Sequence, residues 1–275
     1  MHLFFILFLH MINFNIDIED NNEILDENIS LSKSNNTTLT QIFDYTRHNI
    51  FVDMDLPSGT LWCKYNLGVD VNKLNEPSDW YGNYYAWGET ETKNRYSGDN
   101  YKFMDPAKQL YGGALKYCIN SRDGRVDDKL KLDKEDDAMI VNNPYKDIFS
   151  GEIHIPNSYD ANELIDNSTF TFIRDYNGVN GLNGYLVKSK SNGNTLFFPC
   201  SGFIIDEGID SNKFNSPIWL SDSSFETATT SLVMYFHYDT YKEAMYHKLK
   251  EDFLIMRLGA INRYKGVPIR GVYTP

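Results

Sequence analysis

Val52-Asp53-Met54-Asp55-Leu56-Pro57-Ser58-Gly59-Thr60-Leu61-Trp62 is followed, one loop later, by Tyr81-Gly82-Asn83-Tyr84-Tyr85-Ala86-Trp87-Gly88-Glu89-Thr90, and the reading of these two runs decides the fold class. Pro57, Ser58 and Gly59 form a turn signal ahead of Thr60-Leu61-Trp62, and Gly82 and Gly88 bracket an aromatic run. Short apolar and aromatic runs separated by turn residues predict short strands, because flat and branched side chains pack well on a pleated surface.

Working outward, the same punctuation predicts strands over 51–53, 61–63, 169–173, 184–188, 195–199, 218–221, 231–238 and 253–258. Lys190-Ser191-Asn192-Gly193-Asn194 is a hairpin turn between two of them. Two helices are predicted. Residues 131–141 have Asp133 as N-cap and Glu135, Asp136 and Asp137 in the first turn, where the helix dipole favours carboxylates. Residues 158–168 have Ser158 as N-cap, an apolar face from Ala161, Leu164 and Ile165, and Asn167 at the end. The expectation is an α+β chain of mixed short antiparallel strands with two short helices and long loops.

Composition narrows the partners. The 275 residues are 41% hydrophobic and 15% aromatic, enough for a substantial core. A net charge of -12 argues against a nucleic-acid ligand, whose binding is driven by Lys and Arg displacing counterions. The 3 cysteines, Cys63, Cys118 and Cys200, allow at most one intrachain disulfide, and buried free thiols are the simpler reading. Their spacing is not that of a zinc site.

Residues 1–20 hold an apolar leader, Met1 to Ile12, and then the acidic stretch Asp17-Ile18-Glu19-Asp20. The leader has the length of a signal segment and is too short to span a bilayer in the mature chain, but it lacks a basic start and a small-residue cleavage site. A start at Met11, a buried strand or an oligomer contact are its other readings. Residues 21–49 are rich in Asn, Ser, Thr, Asp and Glu and read as a polar linker, since such a stretch cannot bury enough apolar area to offset its ordering entropy.

Further segments follow in order: Lys116-Tyr117-Cys118, Leu132-Asp133-Lys134-Glu135-Asp136-Asp137-Ala138, Ile155-Pro156-Asn157, Leu196-Phe197-Phe198-Pro199-Cys200-Ser201-Gly202, Trp219-Leu220-Ser221 and Gly266-Val267-Pro268-Ile269-Arg270. Together with the opening runs they resemble the Fibrobacter succinogenes major paralogous domain, a family of gut-bacterial surface proteins and phage proteins. The resemblance runs from Val52 to Tyr273 and implies a C-type lectin-like domain over 50–275. It departs at Ile153-His154, where the family has Trp-Arg, and at Ile269-Arg270-Gly271-Val272, where it has Val-Arg-Pro-Val. Ligand details therefore do not carry over. What the resemblance implies is a non-catalytic recognition or adhesion module, extracellular, on a cell surface or on a virion, that binds a glycan or a host-surface protein. The alternative is a structural fibre or virion component that self-associates as a homo-oligomer, and the third reading is a diverged enzyme on the same fold.

Three constellations are candidates for chemistry. The resemblance places a ligand face on the C-terminal strands and loops, where Tyr235, His237 and Tyr241 offer ring contacts and Asp222 and Asp239 offer hydrogen bonds. Alternation puts Leu232, Met234, Phe236 and Tyr238 on one side of that strand and Val233, Tyr235 and His237 on the other, so one side must be core. Glu135, Asp136 and Asp137 offer oxygens to a Ca²⁺ ion, against the simpler reading of a helix start. His154, His237 and His247 are candidate bases and Cys200 or Ser201 candidate nucleophiles, but the sequence around them forms no nucleophile elbow. No catalytic residue and no other cofactor is expected.

Overall fold

The structure is a computed structural model that describes residues 50–108, 112–210, 214–225, 227–239 and 253–275. The leader and linker of residues 1–49 lie outside the described residues.

The elements run β1 (Phe51–Asp53), β2 (Leu61–Cys63), β3 (Tyr84–Tyr85), α1 (Ala138–Val141), α2 (Ser158–Asp166), β4 (Ser168–Ile173), β5 (Gly184–Ser189) and β6 (Thr195–Pro199). They continue with β7 (Phe203–Ile205), β8 (Gly208–Asp210), β9 (Ser216–Ser223), β10 (Thr230–Asp239), β11 (Phe253–Asn262), β12 (Val267–Pro268) and β13 (Val272–Tyr273). Every pairing between these strands is antiparallel, in small sheets ordered β1-β2-β13, β4-β5-β6, β9-β10-β11, β3-β12 and β7-β8. The α+β expectation of short antiparallel strands with two helices is met at this level. Among the described residues no helix is long and apolar enough to cross a membrane.

The predicted turns sit where expected. Gly59 N–H donates to the Leu56 carbonyl at 2.8 Å, and Gly59 takes φ +74°, a conformation a Cβ would strain. This turn lets Leu61–Cys63 fold back on Phe51–Asp53, with Val52 opposite Trp62. The 190–194 turn joins β5 to β6, closed by Ser189 N–H to the Asn194 carbonyl at 2.9 Å. Asn192 and Asn194 then donate to the Asp53 carbonyl at 2.9 and 2.7 Å, tying this hairpin to the first.

The main core lies between the sheets built on β2, β5 and β10, with α2 packed against it. Trp62, Leu164, Tyr185, Phe198, Met234 and Phe236 are all essentially inaccessible there. Trp62, Trp87 and Trp219 are 0%, 1% and 0% exposed. Trp87 Nε1–H donates to the Leu220 carbonyl and Trp219 Nε1–H to the Tyr85 carbonyl, both at 2.8 Å, so each ring is pinned to the other's segment. Trp62 Nε1 has no acceptor among the described residues.

Both helix predictions need correction. The first resolves into a 3-10 turn, Lys134–Asp136, and the one-turn α1; the helix is capped by Asp137, whose side chain accepts from Met139 and Ile140. Asp133 makes no capping bond, because its carboxylate is held by lysines. Upstream, Leu132 N–H donates to the Ser221 carbonyl, so the chain is already committed to the edge of β9. In the second, the cap is Asn157, one residue earlier than predicted, and Asp160 reaches back to the Asn157 amide to complete a capping box. Ser168 belongs to β4.

Replacing Trp219 with Phe strands the Tyr85 carbonyl in a dry interior and should cost on the order of 1–3 kcal/mol beyond the lost packing. Trp62→Phe loses no hydrogen bond and should be the milder change. Chemical denaturation of the two variants checks the order.

Candidate functional site

The predicted ligand face divides in the structure. On β10, Tyr235 donates its hydroxyl to Asn215 Oδ1 at 2.8 Å and His237 Nδ1 meets the same oxygen at 2.6 Å, with the two rings near-parallel at 5.8 Å. Both are half-buried, whereas Val233 on the same side is fully buried. Met234 and Phe236 face the main core, as alternation requires. Asp222 is not with them. It sits near the far end of β9, where Ser223 pairs with Ser231, and its Oδ2 accepts the Ser158 amide at 2.5 Å at the start of α2. The Asp239 side chain, Tyr241 and His247 lie outside the described residues.

The acidic run forms an ion-pair network. Asp133, Glu135 and Asp136 each bring a carboxylate oxygen within 4.8 Å of the others, which makes them the group with metal-ligand spacing. Asp137 does not join them: Oδ1 accepts from Met139 and Ile140, and Oδ2 accepts from Ile155 at 2.9 Å. Lys116 Nζ stands among the three carboxylates, at 2.7 Å from Asp133, 2.5 Å from Asp136 and 3.7 Å from Glu135. A cation bound there would have to displace that ammonium. Asp136 also takes Lys102 Nζ at 2.8 Å and the Tyr117 hydroxyl at 2.7 Å. Burial alone would raise the Asp136 pKa, but these donors outweigh it and hold the carboxyl below its ordinary value.

Among the described residues the candidate nucleophiles have no base hydrogen-bonded to them. Burial pushes the thiols of Cys63 and Cys200 up to about 12, and all three cysteines are free. Ser201 Oγ is enclosed without a partner. His154 Nδ1 bonds the Ile155 carbonyl and His237 Nδ1 bonds Asn215 Oδ1, and among the described residues neither histidine is hydrogen-bonded to Ser201 Oγ.

A pocket that sequence reasoning did not single out lies on the far side of β6 from the main core. Leu196 and Phe198 of β6 point into that core, so Thr195, Phe197 and Pro199 line the other face of the strand. Opposite them stand Tyr65 just after β2, Trp80 at the end of the 3-10 turn Pro77–Trp80, and Tyr176 in the tight turn after β4, where Asp175 and Asn177 take φ +48° and +55°. Together with Lys64, Asn177 and Arg270 they enclose about 180 Å³. The aromatic walls hold one another in place: Tyr176 stacks on Phe197 at 3.7 Å, and Trp80 meets Phe197, Tyr176 and Tyr65 at 5.9, 5.6 and 5.8 Å. Asn177 and Thr195 are exposed at the rim, while Trp80, Phe197 and Arg270 are buried beneath. The signals available in the sequence were Trp80, the fourth tryptophan, and the alternation of Thr195-Leu196-Phe197-Phe198-Pro199, which presents aromatics to both faces. Such a cleft, flat rings with a few polar groups at the edges, suits a small ring-bearing ligand.

Compared with known proteins, the chain matches no protein-family model, no curated protein and no solved structure.

Because Asp136 titrates below its unfolded value, its contribution to stability is present above the ordinary carboxylate pKa of about 3.9 and is lost as pH falls through the lower folded value. The melting temperature should therefore drop on acidification below about pH 4, and Asp136→Asn should flatten that drop while costing on the order of 1–3 kcal/mol at neutral pH. With Lys116 in place, melting curves in millimolar calcium and in chelator should coincide. Thermal scans across pH, with and without each addition, check both.

Proposed function

We propose that the chain is a non-catalytic recognition module of the Fibrobacter succinogenes major paralogous type, on a C-type lectin-like domain over 50–275, that binds a glycan on a cell or host surface. The observation that carries this reading is the aromatic pocket of Tyr65, Trp80, Tyr176 and Phe197. Aromatic faces pack against the C–H faces of a pyranose, while edge groups such as Asn177 and Thr195 suit its hydroxyls. The rings are already braced against one another, so little side-chain entropy remains to be lost on binding. The thiols of Cys63 and Cys200, enclosed and kept protonated by burial, argue for binding rather than catalysis. An extracellular or surface-bound location, with a virion as the alternative, goes with this reading.

A second reading, self-association in a fibre or virion, is favoured by a different observation. Leu115, Ile119 and Val126 are exposed in one loop region, and Phe225, 70% exposed, belongs to a neighbouring one. Those two regions pack through Ala114, Cys118 and Ala228, and Ala228 N–H donates to Asp123 at 3.1 Å. Exposed apolar residues on adjoining loops are a common ingredient of interfaces between copies.

A glycan array probed with the full chain tests the first reading, and Tyr176→Ala should weaken the strongest signal at least about tenfold, or 1.4 kcal/mol, without unfolding the protein. Light scattering on the wild type and on an Ile119→Ser, Phe225→Ser double variant tests the second. A mass that falls to monomer only in the variant supports it.

A further inference from the structure

The aromatic pocket has a cation at its floor. Arg270 is 1% exposed, and no carboxylate pairs with it among the described residues. Its Nε donates to Asn66 Oδ1 and its Nη1 to the Phe197 carbonyl, both at 2.9 Å, and its guanidinium lies 4.1 Å from the centre of the Phe198 ring. Nη2 has no acceptor among the described residues. The contrast with Arg263, the other buried arginine, is direct: there Nε reaches Ser231 Oγ and the Thr230 carbonyl, and Nη1 and Nη2 reach the carbonyls of Lys116 and Tyr117. Arg263 has a structural account for every nitrogen. Arg270 does not, and the group left over belongs to a side chain that lines the cavity.

The surroundings favour an anion at that point. Burial lowers the Arg270 pKa to about 9, which leaves the guanidinium charged at neutral pH with no carboxylate paired to it among the described residues. A buried charge without a counterion is costly, and a carboxylate arriving beside it recovers part of that cost. Tyr65 and Tyr176 line the same cavity, and their hydroxyls have no hydrogen-bond partner among the described residues. Lys64 adds a second positive group, its Nζ 5.5 Å from the centre of the Tyr65 ring. The volume, about 180 Å³, is that of one six-membered ring with its substituents, somewhat above the roughly 150 Å³ that holds a benzene.

We infer that this pocket binds a single acidic sugar residue, a hexuronic acid, with its carboxylate at Arg270 Nη2 and its ring between Tyr65, Tyr176 and Phe197. The inference rests on the glycan reading above and names the class of sugar within it. A net charge of -12 opposes anionic ligands in general, so the selectivity is local to this cavity and not a property of the whole surface.

Calorimetric titration of the full chain with methyl glucuronide, methyl galacturonide, the corresponding neutral methyl hexosides, acetate and inorganic phosphate tests it. At least one uronide should bind ten or more times more tightly than its neutral counterpart, about 1.4 kcal/mol, and acetate and phosphate should bind more weakly than that uronide. Lys64→Gln should weaken the uronide several-fold and leave the neutral sugar unchanged. Arg270→Lys, checked for a native melting transition, should lose most of the preference; should it fail to fold, Lys64→Gln and Tyr176→Phe carry the test. Equal binding of acidic and neutral sugars overturns the inference and leaves the glycan reading standing. Phosphate as tight as the uronide overturns it in favour of a general anion site. No binding of any sugar, here and on the glycan array, removes both.

Discussion

The reciprocal hydrogen bonds of Trp87 and Trp219 are the constraint on which the rest of the structure depends. Each indole donates across to the other's segment, so the irregular loop region after β3 is locked to the middle of β9. Apart from the ten-residue pairing of β10 with β11, the sheets of this fold are short, and short ribbons are marginal by themselves. Large flat side chains that fill volume and also donate one directed bond supply the missing registration. Arg263 extends the lock, lying 4.6 Å from the Trp87 ring while its nitrogens hold the loop at Lys116 and Tyr117 to the start of β10. Tyr117 accepts a strained φ of +59° to present its carbonyl there and its hydroxyl to Asp136.

From this lock the two chemically interesting regions follow. The loops that Trp87 and Arg263 anchor carry Lys116, Asp133 and Asp136, and they meet because the chain from Leu132 pairs with Ser221 on the edge of β9. The ion-pair network is thus a seam between loops, where charge complementarity fixes relative position. The pocket sits on the other side of β6. That strand is a partition: Leu196 and Phe198 serve the main core while Phe197 faces the pocket, and Arg270 lies across Phe198 while donating to the Phe197 carbonyl. One strand therefore sets the stability of the core and the shape of the cleft together, and changes at Phe197 or Phe198 are expected to be felt on both sides.

Use of aromatic residues in both roles accounts for the composition. In the main core Trp62 meets Phe198 edge-on at 6.3 Å, Phe198 lies tilted on Phe236 at 4.8 Å, and Tyr185 stacks on Phe236 at 5.2 Å. In the pocket Trp80 and Phe197 are buried while Tyr65 and Tyr176 stand half-buried, their hydroxyls without a hydrogen-bond partner among the described residues. Density of aromatics by itself does not separate these uses. What separates them is which face of β6 the ring packs against.

The sequence by itself determined the longer strands and the turns of the hairpins, while the short β3, β7, β8, β12 and β13 carried too few residues to show a pattern. Alternation and turn chemistry are local properties, and Phe51–Asp53, Leu61–Cys63 and Thr195–Pro199 stand where the pattern placed them. It also determined that the tryptophans of those segments are interior, since nothing else in such a strand fills as much core. Caps were displaced by contacts made far along the chain: Asp133 looks like a helix start and is taken by Lys116 and Lys129 instead. The tertiary structure alone decided the site. Tyr65, Trp80, Tyr176, Phe197 and Arg270 come from five separate segments, and no spacing along the chain brings them together. Conversely Asp222, close in sequence to Tyr235 and His237, is carried to the start of α2 by the pairing of β9. Period and propensity act between near neighbours, whereas a cavity is made by side chains whose only relation is that the sheets leave them facing the same space.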